Sequence, residues 1–279
     1  MDRETRVVIS LFGGQILKYQ PANTSDDILW LPPNQLFRAG IEINGGIPII
    51  WPWFGFHPTE STNKPFHGFA KNQTWEVKGS IVDKLAGMAS ITMGISENEN
   101  SLELWPNNFE LSLTITLFQD RLHVMLTTEN TGEEPFCITA GLHSYFNVSA
   151  AHSISISGLE NSTFVDHADE RKTKVQSGPV EFSGDKEVNR VYLSATDCEI
   201  IDPGLSRSII ISKEGSNSTV VWNPWVRDSE DLSRNAENEA FQGMVCLETT
   251  NCGEDIVCIQ PGHSSTLVAT ISSVQMATT

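Results

Sequence analysis

Three ionisable side chains stand in segments that suit acid–base chemistry: His67, His143 and Glu248. His143 follows an apolar run and precedes an aromatic pair, and an imidazole in that position can accept or donate a proton near neutral pH. We expect Glu248 to end an apolar strand, where desolvation or a partner changes the proton affinity of its carboxylate and suits it to a general base. The alternatives are a core histidine that bonds a backbone carbonyl and a strand-end carboxylate that faces solvent.

The residue patterns argue against several other chemistries. Two histidines and one glutamate are enough to ligate a metal ion, but the sequence has no His-x-x-x-His pair, and we predict no metal site. No Gly-x-Ser-x-Gly element supports a serine nucleophile. Gly45 and Gly46 lack the rest of a nucleotide-binding fingerprint, so we predict no cofactor.

A segment rich in glycine, proline and aromatic residues runs over 40–69. Glycine and proline interrupt both strands and helices, so this composition predicts a shaped loop. Its rings, with Trp53 and Phe66 among them, would form a concave apolar wall, and such walls with a few polar groups such as His67 are typical of small-ligand sites. The alternative is a rigid surface loop whose rings cover the edge of a sheet.

The elements that must position these residues are predicted to be strands. Residues 109–117 alternate apolar and polar side chains, and Leu122, Val124 and Leu126 continue the pattern after a turn at 119–121. This alternation predicts an antiparallel hairpin with one face on a core.

Shorter apolar runs predict further strands at 89–95, 154–156, 208–211, 219–222, 244–247, 255–259 and 267–271. Helical periodicity is almost absent, and the one short helix we predict covers 232–241. Many short strands without alternating helices indicate an all-β sandwich or barrel. We predict one domain over 1–279, acting as a monomer.

Composition limits the partners and the compartment. The 279 residues carry a formal net charge of -17, which argues against nucleic acid and against an anionic membrane surface. No segment approaches the roughly 20 continuous apolar residues of a membrane span. The charged N-terminus shows no cleavable signal, so we expect a cytoplasmic protein whose five cysteines are reduced thiols. Their odd number and the lack of a Cys-x-x-Cys pair predict neither a disulfide framework nor a zinc site.

Several motifs occur in a fixed order along the chain: Ile-Asn-Gly-Gly-Ile-Pro (43–48), Trp-Pro-Trp-Phe-Gly (51–55), His-Gly-Phe-Ala-Lys-Asn-Gln-Thr-Trp (67–75), Leu-His-Ser-Tyr-Phe-Asn (142–147), Glu-Val-Asn-Arg-Val-Tyr (187–192), Val-Trp-Asn-Pro (221–224) and Val-Cys-Leu-Glu-Thr (245–249). With them, the sequence resembles the aldose 1-epimerase superfamily, specifically its hexose-6-phosphate mutarotases, also called glucose-6-phosphate 1-epimerases. The resemblance covers nearly the whole chain. It implies a large antiparallel β-sandwich of the galactose mutarotase type, a supersandwich, with a cofactor-free site for a sugar or sugar phosphate.

The resemblance also implies a role for each of three residues. The carboxylate of Glu248 takes the proton from the anomeric O1 hydroxyl while the imidazole of His143 protonates the ring oxygen O5. The ring opens to the aldehyde, and reclosure on the other face gives the other anomer. His67 helps to bind the sugar near the reacting atoms. This reaction needs one acid and one base but no metal and no redox cofactor.

Four positions in the predicted sugar-binding shell depart from the family pattern. Asn44 and Lys71 stand where the family has arginines associated with the 6-phosphate, Asn189 stands where an aspartate holds sugar hydroxyls, and Phe66 replaces a polar or small residue. An arginine binds an anion through two bonds, whereas Lys71 supplies a point charge and Asn44 none. Other basic residues lie in or near these segments: Arg38, Lys64 and Arg190.

We predict that the protein interconverts the α and β anomers of a hexose 6-phosphate. One alternative is mutarotation of an unphosphorylated aldose, which Asn44 and Lys71 favour. Another is a non-catalytic carbohydrate-binding protein, which the altered shell favours and the retention of His143 and Glu248 opposes. A glycoside hydrolase needs two carboxylates flanking the bond. The second would have to come from the charged run 166–172, which predicts a solvated loop.

Overall fold

The structure is a computed structural model, and it describes residues 4–38, 41–60, 63–182, 186–225 and 240–276. Its strands are β1 Arg6–Ile9, β2 Ile16–Gln20, β3 Ile49–Ile50, β4 Glu76–Asp83, β5 Met88–Ser96, β6 Phe109–Leu117, β7 Arg121–Asn130, β8 Phe136–Ile138, β9 Ala140–Leu142, β10 Tyr145–Asn147, β11 Ser155–Ser157, β12 Thr163–Asp166, β13 Lys172–Val175, β14 Val180–Glu181, β15 Val188–Leu193, β16 Cys198–Asp202, β17 Arg207–Glu214, β18 Ser218–Asn223, β19 Met244–Asn251, β20 Val257–Ile259 and β21 Ser264–Gln275. The helix α1 spans Glu99–Leu104, and short 3₁₀ helices span Ala70–Asn72, Ala151–Ser153, Pro203–Leu205 and Ala240–Gly243.

Two large antiparallel sheets contain most of these strands. One sheet has nine strands in the order β14-β11-β16-β17-β21-β7-β6-β5-β4, and the other has eight, in the order β13-β12-β15-β18-β19-β9-β3 with β10 paired to β19. Apolar side chains from both sheets meet in one buried cluster, for example Leu113 of β6 and Leu247 of β19. The predicted all-β antiparallel sandwich is therefore confirmed.

The β6–β7 hairpin forms as predicted, with Phe109 paired to Asn130 and Leu117 paired to Leu122. Its alternation places Leu111, Leu113 and other apolar residues inside, fully buried. Each such side chain stabilises the fold by roughly 1.5–3 kcal/mol relative to an exposed position. The shorter predicted runs also lie in or overlap strands β5, β11, β17, β18, β19, β20 and β21.

The sequence predictions missed several elements. Strands β12 to β15 were not predicted, and the run 166–172 forms the end of β12, a loop over 167–171 and the start of β13. Helix α1 is too short to show periodicity; it is fixed by a capping box in which Asn98 and Ser101 bond each other's backbone. The helix predicted at 232–241 falls outside the described residues except for 240–241.

In its described residues, 41–60 and 63–69, the aromatic segment is a loop apart from β3, and a bridge between Trp51 and Gly68 holds its two halves together. Trp51 is completely buried, and its indole Nε1 donates to Thr128 Oγ1 over 3.0 Å. Gly68 has a φ of 72°, and a Cβ atom there would lie 2.0 Å from the carbonyl oxygen of Trp51. Only glycine fits this close approach, which fixes the neighbouring His67.

The expectation that all five cysteines are reduced was wrong. Cys137 and Cys258 form a disulfide, with Cα atoms 4.0 Å apart, while Cys198, Cys246 and Cys252 are free and buried. The bonded residues lie directly opposite each other in the antiparallel pair β8–β20. Strand register creates this contact between segments 121 residues apart, so cysteine spacing could not reveal it.

Among the helices in the described ranges, none has the length and apolar character needed to cross a membrane.

Candidate active site

A cavity of about 1250 Å³ lies where the aromatic segment meets the eight-stranded sheet. Its walls come from the aromatic segment, the β8–β10 segment, the β12–β13 hairpin and strands β15, β18 and β19. All the site residues predicted from the sequence line it: Asn44, Trp53, Phe66, His67, Lys71, His143, Asn189 and Glu248. The fold thus brings together groups that are remote in the sequence.

Glu248 lies inside strand β19 rather than at its end, because the strand continues to Asn251. In the sheet, Glu248 pairs with Val220 of β18, and on the other side Thr249 pairs with Leu142 of β9. Strands on both sides therefore hold the backbone at this point. The side chain is only 2 % exposed, and burial raises its pKa well above the ordinary value. In the part of the chain that the structure describes, Oε2 has no hydrogen-bond partner. The carboxylate is therefore a desolvated proton acceptor with a free oxygen.

His143 lies between β9 and β10, and its Nδ1 is 3.6 Å from Oε1 of Glu248. This distance is slightly longer than a hydrogen bond. Burial, followed by the positive charge of Lys71, lowers the pKa of His143 to about 3. Nδ1 has no hydrogen bond to any described residue, so the imidazole is not a core histidine tied to a carbonyl through this atom. Tyr145 stacks on the ring, with centroids 4.7 Å apart and planes 9° apart.

His67 is held in a fixed orientation by Gly55. The amide of His67 donates to the carbonyl of Gly55 over 2.7 Å, and Nδ1 accepts from the amide of Gly55 over 3.0 Å. Since Nδ1 accepts, the neutral ring carries its proton on Nε2. Burial, and then the charges of His143 and Lys71, lower the pKa of His67 well below its ordinary value. His67 is therefore a neutral hydrogen-bond donor whose ring centre lies 5.6 Å from that of His143.

Aromatic rings surround the acid–base pair. Trp222 meets His143 edge-on with centroids 6.0 Å apart, and Phe54 and Phe66 contact His67 with centroids 4.9 Å and 3.9 Å away. Trp53 is fixed by a hydrogen bond from Nε1 to the carbonyl of Pro65. Apolar walls with a few polar groups are typical of small-ligand sites.

Several polar residues of the cavity wall form hydrogen bonds or ion pairs with each other. The ammonium of Lys71 donates to Glu42 Oε1, and the Lys71 side chain is 9 % exposed while that of Glu42 is 57 % exposed. Asn189 donates through Nδ2 to Glu187 Oε1 over 2.9 Å, and Trp222 Nε1 donates to the same oxygen over 3.3 Å. Glu187 lines the cavity and thus places a carboxylate beside Asn189, at the position where the family pattern has an aspartate.

The basic residues considered from the sequence lie outside this cavity. Arg190 packs over the ring of Phe164 and donates to Gln176, and Lys64 donates to the carbonyl of Leu104. Arg38 is exposed and is not among the lining residues.

The cation that sequence reasoning missed is Arg171, which lines the cavity from the loop between β12 and β13. The runs Thr-Phe-Val-Asp and Lys-Thr-Lys-Val on either side of the charged loop form its hairpin, but they are too short, and the second too polar, to give a clear strand signal.

Comparison with known proteins identifies similar sequences and structures. The chain matches the model of the family described as Aldose 1-epimerase over residues 1–272. It is 31 % identical over 252 residues to the Escherichia coli (strain K12) protein named "Putative glucose-6-phosphate 1-epimerase", covering 90 % of this chain and 81 % of that one. It is also 31 % identical over 264 residues to a Cenchrus ciliaris protein of the same name, covering 91 % and 77 %.

Solved structures agree with these sequence matches. A protein from Salmonella typhimurium described as a "putative mutarotase" superposes with a TM-score of 0.87 at 28 % identity, over 98 % of this chain and 88 % of that one. The Slr1438 protein from Synechocystis sp. PCC 6803 superposes with a TM-score of 0.83 at 20 % identity, over 98 % and 93 %, and this likeness supports the fold alone.

Proposed function

Because the chain belongs to the aldose 1-epimerase family and is therefore an isomerase, we propose that it interconverts the α and β anomers of a hexose 6-phosphate. The observation that carries the proposal is the meeting of Glu248 and His143, 3.6 Å apart, at one wall of a buried aromatic cavity. Opening a hemiacetal requires a base at O1 and an acid at O5, two oxygens bonded to the same carbon. Two groups this close can reach both oxygens of one bound sugar.

We assign the base role to Glu248. Its free Oε2 accepts the proton of the O1 hydroxyl as the C1–O5 bond breaks and C1 becomes an aldehyde carbon. His143 donates its proton to O5, which becomes the O5 hydroxyl of the open chain. Rotation about the C1–C2 bond and the reverse proton transfers then close the ring with O1 on the other face. The neutral Nε2–H of His67 is available to bond a sugar oxygen near C1.

The phosphorylated substrate is supported by two kinds of observation. The relatives at 31 % identity carry the name glucose-6-phosphate 1-epimerase, qualified as putative. Two cationic side chains, Lys71 and Arg171, line the cavity. A second candidate is an unphosphorylated aldose, which the ion pair between Lys71 and Glu42 favours because it neutralises one of these cations.

Anomer exchange measured by NMR with glucose 6-phosphate, glucose and galactose tests both parts of the proposal. Glu248→Gln should slow enzymatic exchange by about 10²- to 10⁴-fold, the usual contribution of a positioned general base. It should unfold at the same or a higher temperature at pH 7, because it removes a carboxylate whose burial opposes its charge.

Glu254→Gln provides the matched control, since Glu254 is exposed in the turn after β19 and does not line the cavity. Undiminished exchange in Glu248→Gln would remove Glu248 from the base role. Equal or faster exchange of the free sugars in the unmodified protein would reject the phosphorylated substrate and favour the second candidate.

A further inference from the structure

We propose that Arg171, in the loop between β12 and β13, binds the anionic end of the substrate and sets the preference for a phosphorylated sugar. The inference rests on the proposed function, since it assigns a specificity-determining residue to the same cavity. It is carried by the position of Arg171 on the cavity wall and by the way the surrounding charges are paired.

At the two positions where the family pattern has arginines, this chain has no cation that is free of an acidic partner. Asn44 has no charge, and the ammonium of Lys71 is bonded to Glu42. The Lys71 side chain is also 9 % exposed, so little of it is open to a ligand. A phosphate that approached Lys71 would have to displace the Glu42 carboxylate.

The acidic side chains beside Arg171 in the hairpin are all paired with lysines. Lys174 is 2.7 Å from Asp166 and 2.6 Å from Asp169, and Lys172 is 2.7 Å from Asp169 and 3.8 Å from Glu170. The two lysines thereby engage the three carboxylates that would otherwise compete for Arg171. Within the ranges that the structure describes, the Arg171 guanidinium forms no ion pair or hydrogen bond.

The backbone of the hairpin loop explains where this side chain lies. Glu170 and Arg171 both adopt left-handed conformations, with φ of 51° and 58°, which few residues with a side chain adopt. The loop contributes His167 as well as Arg171 to the cavity wall, while Lys172 begins β13 and lies outside the wall. Of the three cationic side chains in this hairpin, Arg171 lines the cavity, whereas Lys172 and Lys174 pair with acidic residues of the hairpin.

The other carboxylates of the cavity wall are also engaged. Glu42 bonds Lys71, and Glu187 accepts from Asn189 and Trp222. Glu248 is buried at the catalytic end, whereas Arg171 is exposed. In a hexose 6-phosphate the phosphate is carried on C6, outside the ring, so an exposed cation on the wall can reach it while C1 lies at the buried pair. The planar guanidinium can bind two phosphate oxygens at once, which a lysine cannot do.

The test compares Arg171→Gln and Arg171→Lys with the control Lys84→Gln, which removes the same charge from an exposed turn between β4 and β5, outside the cavity. Anomer exchange is measured with glucose 6-phosphate and with glucose, and inorganic phosphate is used as a competitor. For Arg171→Gln we expect the ratio of kcat/KM for glucose 6-phosphate to that for glucose to fall about tenfold, and inhibition by phosphate to weaken similarly. Arg171→Lys should retain an intermediate ratio, and Lys84→Gln should retain the full one.

Each outcome distinguishes this inference from the function on which it rests. If the unmodified protein prefers glucose 6-phosphate and Arg171→Gln keeps that preference, Arg171 is not the anion-binding residue and the proposed function stands. An equal fall in Lys84→Gln would mean a general charge effect and would also overturn the assignment. Exchange of glucose without exchange of glucose 6-phosphate in the unmodified protein would overturn both.

Discussion

At the scale of single residues, burial acts in opposite directions on the two groups of the acid–base pair. It raises the pKa of Glu248 and lowers that of His143 to about 3, so over the interval between these values the pair carries one proton. One proton is what the proposed mechanism requires, since one group accepts from O1 while the other donates to O5. The reactive form places it on His143, and attraction to the carboxylate 3.6 Å away stabilises that form.

The pair should therefore keep its activity as the pH is lowered through the range in which an ordinary histidine titrates. We expect no fall in kcat for anomer exchange as the pH is lowered from 7 to 5. A second proton is bound only near pH 3, where it removes the base, and the remaining proton is lost only above the raised pKa of Glu248, where no acid is left. NMR exchange at saturating sugar, corrected for uncatalysed mutarotation, measures this. A loss of activity centred near pH 6.5 as the pH is lowered would contradict it.

The residues that line the cavity were largely predictable at this scale, but their electrostatics were not. His67, His143 and Glu248 could be identified because each stands in a distinctive local sequence. Arg171 could not, because its neighbours in the sequence are charged and the pairing of Lys172 and Lys174 with the acidic residues appears only when the hairpin folds.

At the scale of elements, the contact between Trp51 and Gly68 links the two halves of the aromatic segment. Gly68→Ala places a methyl group against the Trp51 carbonyl, at a distance of 2.0 Å before relaxation, and also strains a φ of 72°. Gly262→Ala isolates the second effect, since Gly262 has a φ of 70° with no atom within 4 Å of the added Cβ. We expect Gly262→Ala to cost about 1 kcal/mol of unfolding free energy, and Gly68→Ala to cost about 1–3 kcal/mol more.

Urea unfolding of both variants measures the difference, and exchange kinetics show whether the neighbouring His67 is displaced. If the two variants lose the same stability, the close approach at Gly68 does not constrain the segment.

Elements were predictable where burial alternates along a long strand, as in β6 and β7. They were missed where strands are short and polar, as in β13, where three of four residues are exposed. Such strands form because their backbones pair with neighbouring strands, not because they bury an apolar face. Their own sequence therefore says little about whether they are strands.

At the scale of the whole molecule, the disulfide between Cys137 and Cys258 encloses most of the eight-stranded sheet. Every strand of that sheet except β3 lies between the two cysteines in the sequence, and so do His143 and Glu248. A cross-link that closes so long a loop stabilises the fold mainly by restricting the unfolded chain.

Replacing both Cys137 and Cys258 by serine should therefore lower the free energy of unfolding by about 2–5 kcal/mol. Both residues are exposed, so the serine hydroxyls remain solvated and no cavity forms. Chemical unfolding with and without a reducing agent measures the effect. The reductant should destabilise the unmodified protein and leave the double variant unchanged. Equal midpoints for the unmodified protein under both conditions would contradict this role.

The fold class was predictable because the many short strands and the ordered motifs point to the same architecture. The cross-link was not, because no sequence rule states that β8 pairs with β20.

Side chains along β19 alternate between two faces of the sheet, so the position of Glu248 in the strand decides which face its carboxylate reaches. Val245 and Leu247 face the core between the sheets, while Cys246 and Glu248 face the opposite side, towards the cavity. Inserting or deleting one residue in the first half of β19 would reverse this parity, directing the carboxylate into hydrocarbon and a leucine towards the sugar. The surface loops around this strand can differ in length without this effect. An insertion or deletion inside the strand keeps Glu248 facing the cavity only if it preserves the alternation of side chains.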